Sequence, residues 1–209
     1  MYFSIVPNIS YDEKPIKYPF SESDYVTAKN FFRRYKVNDD IFSDVVFFNK
    51  YSIRDGERPD TVANKAYGDP FYDWVILLTN NLVNAKYDWP MTNYELYKLA
   101  EKQYDDPYGT IHHYETYAIG QYKAGLYVDE TFYNTTHKLN INGTYQVKNG
   151  NEVCRPVTIA EWMDSENEKK REIYLLKPRY LESFVNDFRR QNLYKKSSNY
   201  INQNLKQTG

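Results

Sequence analysis

Residues 51–81 carry a dense run of turn and cap signals, and these signals constrain the fold more than any other feature of the chain. The residues concerned fix turns and helix ends: Asp55-Gly56, Pro59, Gly68, Asp69-Pro70 and Asn80-Asn81. Proline suits the first position of a helix, and glycine suits the left-handed residue that ends one. A run rich in Val, Phe and Tyr over 45–53 predicts a strand before them. The pattern therefore predicts a strand followed by two short helices.

The apolar residues within this segment recur at helical spacing. Val62 and Ala63 mark one face of the first predicted helix, and Trp74 shares a face of the second with Leu77 and Leu78. We therefore predict that Trp74 belongs to the core.

A third helix and a β-rich region follow. Thr92 and Glu95 have the spacing of a capping box, which predicts a helix start. Between residues 110 and 157 the sequence favours β structure, with strands predicted over 111–119 and 126–133. Two Asn-Gly pairs favour tight turns and suggest a meander of short strands: Asn142-Gly143 and Asn149-Gly150. A last strand over 172–177 precedes a helix that Pro178 opens.

The two ends of the chain lack such clear patterns. Three prolines disfavour helix in the first twenty residues, which are predicted to form an extended arm: Pro7, Pro15 and Pro19. Ser21 and Ser23 are candidate N-caps of an aromatic helix that runs from Tyr25 to Tyr35. The tail after Lys195 is polar and predicted to be disordered. Because ordering a backbone residue costs about 1–2 kcal/mol, arm and tail are expected to be ordered mainly by partners.

Tyrosine is unusually abundant in this chain, at 23 of 209 residues. A tyrosine buries a large ring and keeps a polar hydroxyl, and the cores of protein interfaces are enriched in it. Two interpretations follow. Either the core uses tyrosine where other proteins use leucine, or much of the surface is committed to partners.

Charge and hydropathy exclude several classes of function. Lys and Arg number 27 against 28 Asp and Glu, so no bulk positive field exists to hold a phosphate backbone, and no nucleic-acid partner is predicted. The longest apolar run, Trp74–Leu78, is far shorter than the roughly 20 residues that cross a bilayer. The N-terminus lacks the features of a signal peptide, so no membrane or secreted role is expected. The single cysteine, Cys154, excludes an intrachain disulfide.

Residues capable of catalysis or metal binding do not form a recognisable constellation. His112 and His113 are neighbours on a predicted strand, so their side chains are expected on opposite faces. His137 is isolated, and no signature of a reactive thiol surrounds Cys154. Two acidic pairs lie at predicted element ends and are interpreted as caps: Asp39-Asp40 and Asp105-Asp106. We therefore predict no catalytic, cofactor-binding or metal-binding residue, no cofactor and no enzymatic activity.

The segment from Tyr51 to Asn81 resembles a LysM module. That family runs from a strand through an Asp-Gly turn, a helix, a Tyr-Gly break and a second helix to an Asn-rich turn and a closing strand. The corresponding residues here are Asp55-Gly56, Tyr67-Gly68 and Asn80-Asn81. The resemblance implies a βααβ layout, with the closing strand directly after Asn81. LysM modules usually bind glycans that contain N-acetylglucosamine, but this chain has the bulky segment 71–74 where small and polar residues are usual.

A wider set of motifs, over roughly residues 20–192, is similar to the baseplate wedge protein fifty-three family of contractile-tail phages. These motifs are Arg58-Pro59, Ala66-Tyr67-Gly68-Asp69-Pro70, Trp74–Leu78, Asp88-Trp89-Pro90 and the run 170–181. The resemblance implies a structural protein of the inner baseplate, which is assembled in the host cytoplasm and joins neighbouring wedges. It implies other baseplate wedge proteins, the sheath-proximal wedge subunit and the central hub as partners, and it supplies no catalytic residue.

The patterns together predict an α+β fold in which a LysM-like βααβ module has flanking helices and a small antiparallel β-rich region. Four consecutive segments are expected: 1–42, an extended arm and aromatic helix; 43–104, the LysM-like module and the following helix; 105–177, the β-rich region; and 178–209, a C-terminal helix and polar tail. The competing functional hypothesis is a LysM protein that binds peptidoglycan or chitin.

Overall fold

The computed structural model describes residues 2–12, 25–33, 35–37 and 46–208. The structure is a mixed α+β fold with several small sheets, as the sequence predicts. The chain divides into two compact units, of which the first combines Met1–Trp89 with Glu172–Gly209 and the second is Pro90–Arg171. The finer division into four consecutive segments stays a prediction. The candidate caps Ser21 and Ser23 and the pair Asp39-Asp40 lie outside the described residues.

The first unit draws its helices and strands from both ends of the chain. They are α1 (Tyr2–Ile5), β1 (Asn8–Asp12), β2 (Tyr25–Lys29), β3 (Phe48–Ser52), α2 (Pro59–Tyr67), a 3-10 turn (Pro70–Tyr72), α3 (Asp73–Thr79), β9 (Glu172–Leu176), α8 (Pro178–Asn192), β10 (Tyr200–Asn202) and β11 (Leu205–Thr208). The predicted last strand and C-terminal helix are therefore confirmed.

An antiparallel pair of strands, β3 and β9, lies at the centre of this unit, with Phe48 opposite Leu176. Alternate side chains of β9 enter two different apolar clusters. Ile173 and Leu175 pack in the cluster that contains Val62 of α2. Leu176 packs instead with Phe48, and α3 and α8 complete that second cluster. Both clusters therefore depend on β9.

The helices α2 and α3 form where the sequence predicts them, but the strand that closes the sheet does not. Gly68 ends α2 with a φ of 77°, and the Asp69 carboxylate accepts a hydrogen bond from the Phe71 amide. The prediction of a closing strand directly after Asn81 is wrong, since β9 pairs with β3. The Asn80 amide holds β9 in place, donating to the Tyr174 carbonyl at 2.8 Å and accepting from the Tyr174 amide at 2.7 Å.

The chain ends form a sheet of their own in the order β10-β11-β1-β2. Strand β1 pairs antiparallel with β2 on one side and parallel with β11 on the other. Val6 and Ile9 are buried beside this pairing. The prediction that arm and tail need partners to become ordered is therefore wrong for these residues. Each end has few apolar residues, and the parallel pairing of β1 with β11 satisfies backbone hydrogen-bonding groups of both.

The aromatic helix predicted from Tyr25 is also wrong, because residues 25–29 form strand β2. Aromatic residues do recur at helical spacing there, but pairing with β1 overrides that local pattern. Phe31 and Phe32 follow in a turn and are exposed. Side-chain hydrogen bonds join this stretch to the end of α8: Arg33 donates to the Asn192 carbonyl at 2.8 Å, and the Tyr35 hydroxyl donates to the Asn192 side chain.

The second unit contains small antiparallel sheets and short helices. They are α4 (Asn93–Gln103), β4 (Ile111–Thr116), β5 (Tyr127–Val128), α5 (Glu130–Asn134), β6 (Thr136–Ile141), β7 (Thr144–Asn149), α6 (Gly150–Val153), β8 (Cys154–Thr158) and α7 (Ile159–Lys169). Strands β5, β4 and β8 form one sheet, and β6 and β7 form a hairpin. The capping box of Thr92 and Glu95 is confirmed.

Two predictions in this unit are wrong in part. Asn142-Gly143 forms the predicted tight turn of the β6–β7 hairpin, with φ angles of 52° and 87°. Asn149-Gly150 does not form a turn, because Asn149 caps α6 through a capping box with Glu152. Gly150 lies directly against the backbone carbonyls of residues 132 and 133, where a side chain would collide. The strand predicted over 126–133 ends after Val128 and is followed by α5.

Trp74 lies in the core of the first unit, as predicted, with only 7% of its surface exposed. Its ring centroid is 5.0 Å from that of Phe188 and 6.3 Å from that of Phe184, both on α8. Tyr2 of α1 contacts the same ring at 5.7 Å. Trp74 therefore joins α3 to α8 and to the N-terminal helix.

We expect Trp74→Ala to lower the free energy of unfolding by about 3–5 kcal/mol, because it leaves a large cavity among aromatic rings. Urea denaturation followed by circular dichroism measures the change. Phe71→Ala is the matched control: Phe71 is 56% exposed, so its truncation should change stability by only about 0.5 kcal/mol. Equal effects of the two substitutions would contradict the assignment of Trp74 to the core.

We further expect the amides of β1 to exchange slowly in the isolated full-length chain, because β11 and β2 flank them. Truncation after Ser198 removes β10 and β11, including the bond of 2.7 Å from the Asn8 amide to the Asn204 carbonyl. Exchange in β1 should then accelerate at least about tenfold, or about 1.4 kcal/mol of local opening free energy. Hydrogen exchange with mass spectrometry tests this, with β3 as an internal control. Unchanged exchange in β1 would show that the tail does not order the arm.

Candidate interaction surfaces

The prediction that the two histidines of β4 point to opposite faces is wrong, because their rings lie together. The register of β4 against β8 shifts between Ile111 and His113, and this irregularity brings the two rings together. Their Nδ1 atoms are 2.9 Å apart, and the His112 ring stacks on Trp162 at 4.1 Å. Partial burial, and secondly the neighbouring His112, lower the pKa of His113. Among the described residues, no group of three or more metal-ligating side chains accompanies them.

Cys154 is a buried thiol with a structural environment. Its Sγ contacts the Gly150 carbonyl oxygen at 2.9 Å, and burial raises the pKa of the thiol. The neighbouring Arg155 forms an ion pair with Glu115, to which its Nε donates a hydrogen bond at 2.8 Å. The Asp106 carboxylate accepts from the Gly109 amide at 2.8 Å, so it serves as a cap in a turn, as predicted. The Cys154 thiol, the Arg155 guanidinium and the Asp106 carboxylate thus each make local contacts that stabilise the structure around them.

A groove of about 510 Å³ in the first unit is lined mainly by large apolar side chains. Phe31 and Phe32 stand at this groove with 63% and 77% of their surfaces exposed, and their ring centroids are 4.6 Å apart. Phe3 and Val83 line it as well and are also exposed, while Trp74 lies beneath. Exposed apolar patches of this kind mark interaction sites in soluble proteins. We call this surface the phenylalanine groove.

Exposed tyrosines are the most conspicuous feature of the second unit. They are Tyr94, Tyr97, Tyr104, Tyr108, Tyr117, Tyr122, Tyr127 and Tyr145. Tyr67 of the first unit is a contrasting case, because burial raises its pKa to about 12. Both uses of tyrosine therefore occur, since tyrosines of the first unit pack against its core and those of the second unit are exposed, while the commitment of that surface to partners stays a prediction.

A second groove, of about 470 Å³, lies where α4 faces α7. Tyr97 and Tyr108 line one side, and their ring centroids are 6.5 Å apart. Glu161 and Asp164 of α7 line the other side. We call this surface the tyrosine groove.

Sequence reasoning missed both grooves, although part of the signal was present. Helix α7 was not predicted, yet Thr158 and Glu161 form the same kind of capping box that revealed α4. Phe31 and Phe32 were assigned to the face of a helix, and their exposure depends on the pairing of β2 with β1. Within the described ranges, no helix is long and apolar enough to cross a membrane.

The exposed aromatic grooves are typical of a protein that binds other proteins, which is the class to which a structural subunit belongs. Comparison with known proteins is consistent with this class. The model of the family described as base plate wedge protein 53 matches residues 1–191, and the chain therefore belongs to that family. The chain is also 25% identical to the baseplate wedge protein gp53 of Enterobacteria phage T4 over 194 residues, which cover 90% of this chain and 93% of that protein. The resemblance of the sequence to this family is thus confirmed, and it supports a structural role in the phage tail baseplate.

Proposed function

We propose that this protein joins neighbouring baseplate wedges around the central hub through protein–protein contacts. In this role it contacts other wedge proteins, the sheath-proximal wedge subunit and the hub, and it enters the virion after assembly in the host cytoplasm. It acts as a scaffold and not as an enzyme.

The observation that carries this proposal is the presence of exposed aromatic grooves on both units. Rings of this size stay exposed at a cost to solubility unless partners cover them, and aromatic residues contribute most of the binding energy in many interfaces. The phenylalanine groove and the tyrosine groove lie on different units, so the chain has at least two candidate contact surfaces. A protein that joins wedges needs more than one contact surface.

Removing the two exposed rings of the phenylalanine groove tests the proposal. We expect the double variant Phe31→Ser/Phe32→Ser to keep its melting temperature but to enter baseplates roughly thirtyfold less, because losing an interface hot spot costs about 2 kcal/mol or more. Mass spectrometry of baseplates assembled in extracts that lack the wild-type protein measures incorporation. Phe71→Ser is the matched control, since Phe71 is exposed but does not line the groove. Equal incorporation of both variants would remove the phenylalanine groove from the proposed function.

We also infer that β3, α2, α3 and β9 form a LysM-like module whose last strand is separated in sequence from the rest. The order of the elements and the antiparallel pairing support this. In LysM modules a glycan binds between the first turn and the second helix. We expect this site to be poorly suited to a sugar in the present chain. Trp89 is buried in the same cluster as Ile76 of α3, and its indole nitrogen donates to the Glu57 carbonyl at 2.7 Å. The turn that would border a sugar site is thus held against an aromatic core residue.

The purified chain should therefore not bind oligomers of N-acetylglucosamine, chitin or peptidoglycan fragments. Isothermal titration calorimetry is the measurement, with a glycan-binding LysM protein as the positive control. Saturable binding tighter than about 100 μM, or roughly 5.5 kcal/mol, would revive the glycan-binding hypothesis.

A further inference from the structure

The tyrosine groove combines aromatic walls with carboxylates. Tyr97 and Tyr108 are 44% and 51% exposed, so their rings are open to solvent at the groove. Ala160 is buried and also lines the groove, which has a volume of about 470 Å³. A groove of this volume has room for a long side chain, and its aromatic walls suit a flat, polarisable group.

The charges at this groove are negative and only partly compensated. Glu161 and Asp164 are three residues apart on α7, so both lie on the same side of that helix. Glu161 is engaged locally, because one of its oxygens accepts from the Thr158 amide and the other lies 3.7 Å from Arg155. Asp164 forms no ion pair within the part of the chain that the structure describes. Asp164 is therefore the carboxylate available to a ligand.

Glu101 of α4 adds further negative potential beside the groove. Its carboxylate accepts a hydrogen bond of 3.3 Å from the Tyr108 hydroxyl. This hydrogen bond from the Tyr108 hydroxyl to Glu101 holds the Tyr108 ring in position. An acidic or purely apolar occupant would leave these carboxylates desolvated without a counter-charge, which is unfavourable.

We infer that the tyrosine groove binds an arginine side chain presented by a neighbouring baseplate protein. A guanidinium group stacks on tyrosine faces and pairs with a carboxylate through two parallel hydrogen bonds. Lysine has a compact ammonium group that lacks this planar geometry. The identity of the arginine donor rests on the proposed baseplate function, but the chemistry of the groove does not.

A peptide assay tests the groove without baseplates. The probe is a blocked pentapeptide with arginine at its second and fourth positions, titrated into the full-length protein and followed by amide chemical shifts in NMR spectra. We expect saturable shifts of the protein's amide signals around Tyr97 and Asp164, with a dissociation constant of about 1 mM. The same peptide with citrulline, which keeps the shape and loses the charge, should not bind. Equal binding of the citrulline peptide, or no saturable shift with the arginine peptide, would overturn the inference.

Variants locate the interaction on the protein. Asp164→Asn and Tyr97→Leu should each weaken binding about threefold, in line with single exposed ion pairs and cation–π contacts. Glu166→Gln is the matched control, because it removes one charge from α7 at a residue that does not line the groove. It should bind like the wild type, and all three variants should keep the wild-type melting temperature. An equal loss with Glu166→Gln would show nonspecific charge attraction and overturn the inference.

Photo-crosslinking identifies the occupant in assembled baseplates. A photoreactive phenylalanine analogue replaces Tyr97, and crosslinked peptides are sequenced by mass spectrometry. We expect crosslinks to an arginine-containing segment of another baseplate protein. Crosslinks only to a second copy of this chain, or only to segments without arginine, would overturn the inference. Failure of the wild-type chain to enter baseplates would instead contradict the proposed function, and the peptide assay would still decide the chemistry of the groove.

Discussion

The antiparallel pairing of β3 with β9 is the interaction on which the first unit depends. Strand β9 places Ile173 and Leu175 in one apolar cluster and Leu176 in the other. Without β9, both clusters would lose buried apolar side chains. The Asn80 side chain reinforces the pairing by binding both backbone groups of Tyr174. Because β9 follows the whole of the second unit in sequence, the first unit is completed only when a late part of the chain returns to an early part.

The chain ends extend the same principle, since β1 pairs with β11 although the two strands come from opposite ends of the sequence. Asn192, buried at the end of α8, receives hydrogen bonds from Arg33 and Tyr35. The described residues of the arm, 2–12, are therefore part of the folded unit. The proposed contact surfaces are side-chain grooves on a framework that is already formed, and such preorganisation lowers the entropy cost of docking.

The aromatic residues divide into two roles that match a structural protein. Trp74 and Phe188 pack against each other within the core, where they join helices from distant parts of the sequence. Phe32 and Tyr97 stand on the surface of the first and second units, where each lines a groove. The proposed function thus uses aromatic rings for stability in the core and for recognition at the surface, and burial distinguishes the two roles.

Local sequence alone determined the helices with clear caps, such as α2 between Pro59 and Gly68 and α4 after Thr92, because caps and turns depend on residues only a few positions apart. It also determined that Trp74 is buried, since helical spacing identifies an apolar face. Tertiary structure alone decided that residues 25–29 form a strand and that β9 closes the sheet with β3. Those outcomes depend on hydrogen bonds between backbone segments far apart in sequence, and strand propensity is too weak and context-dependent to name the partner. The grooves followed from that same nonlocal pairing and packing, because a ring becomes a contact surface only where the fold leaves it uncovered.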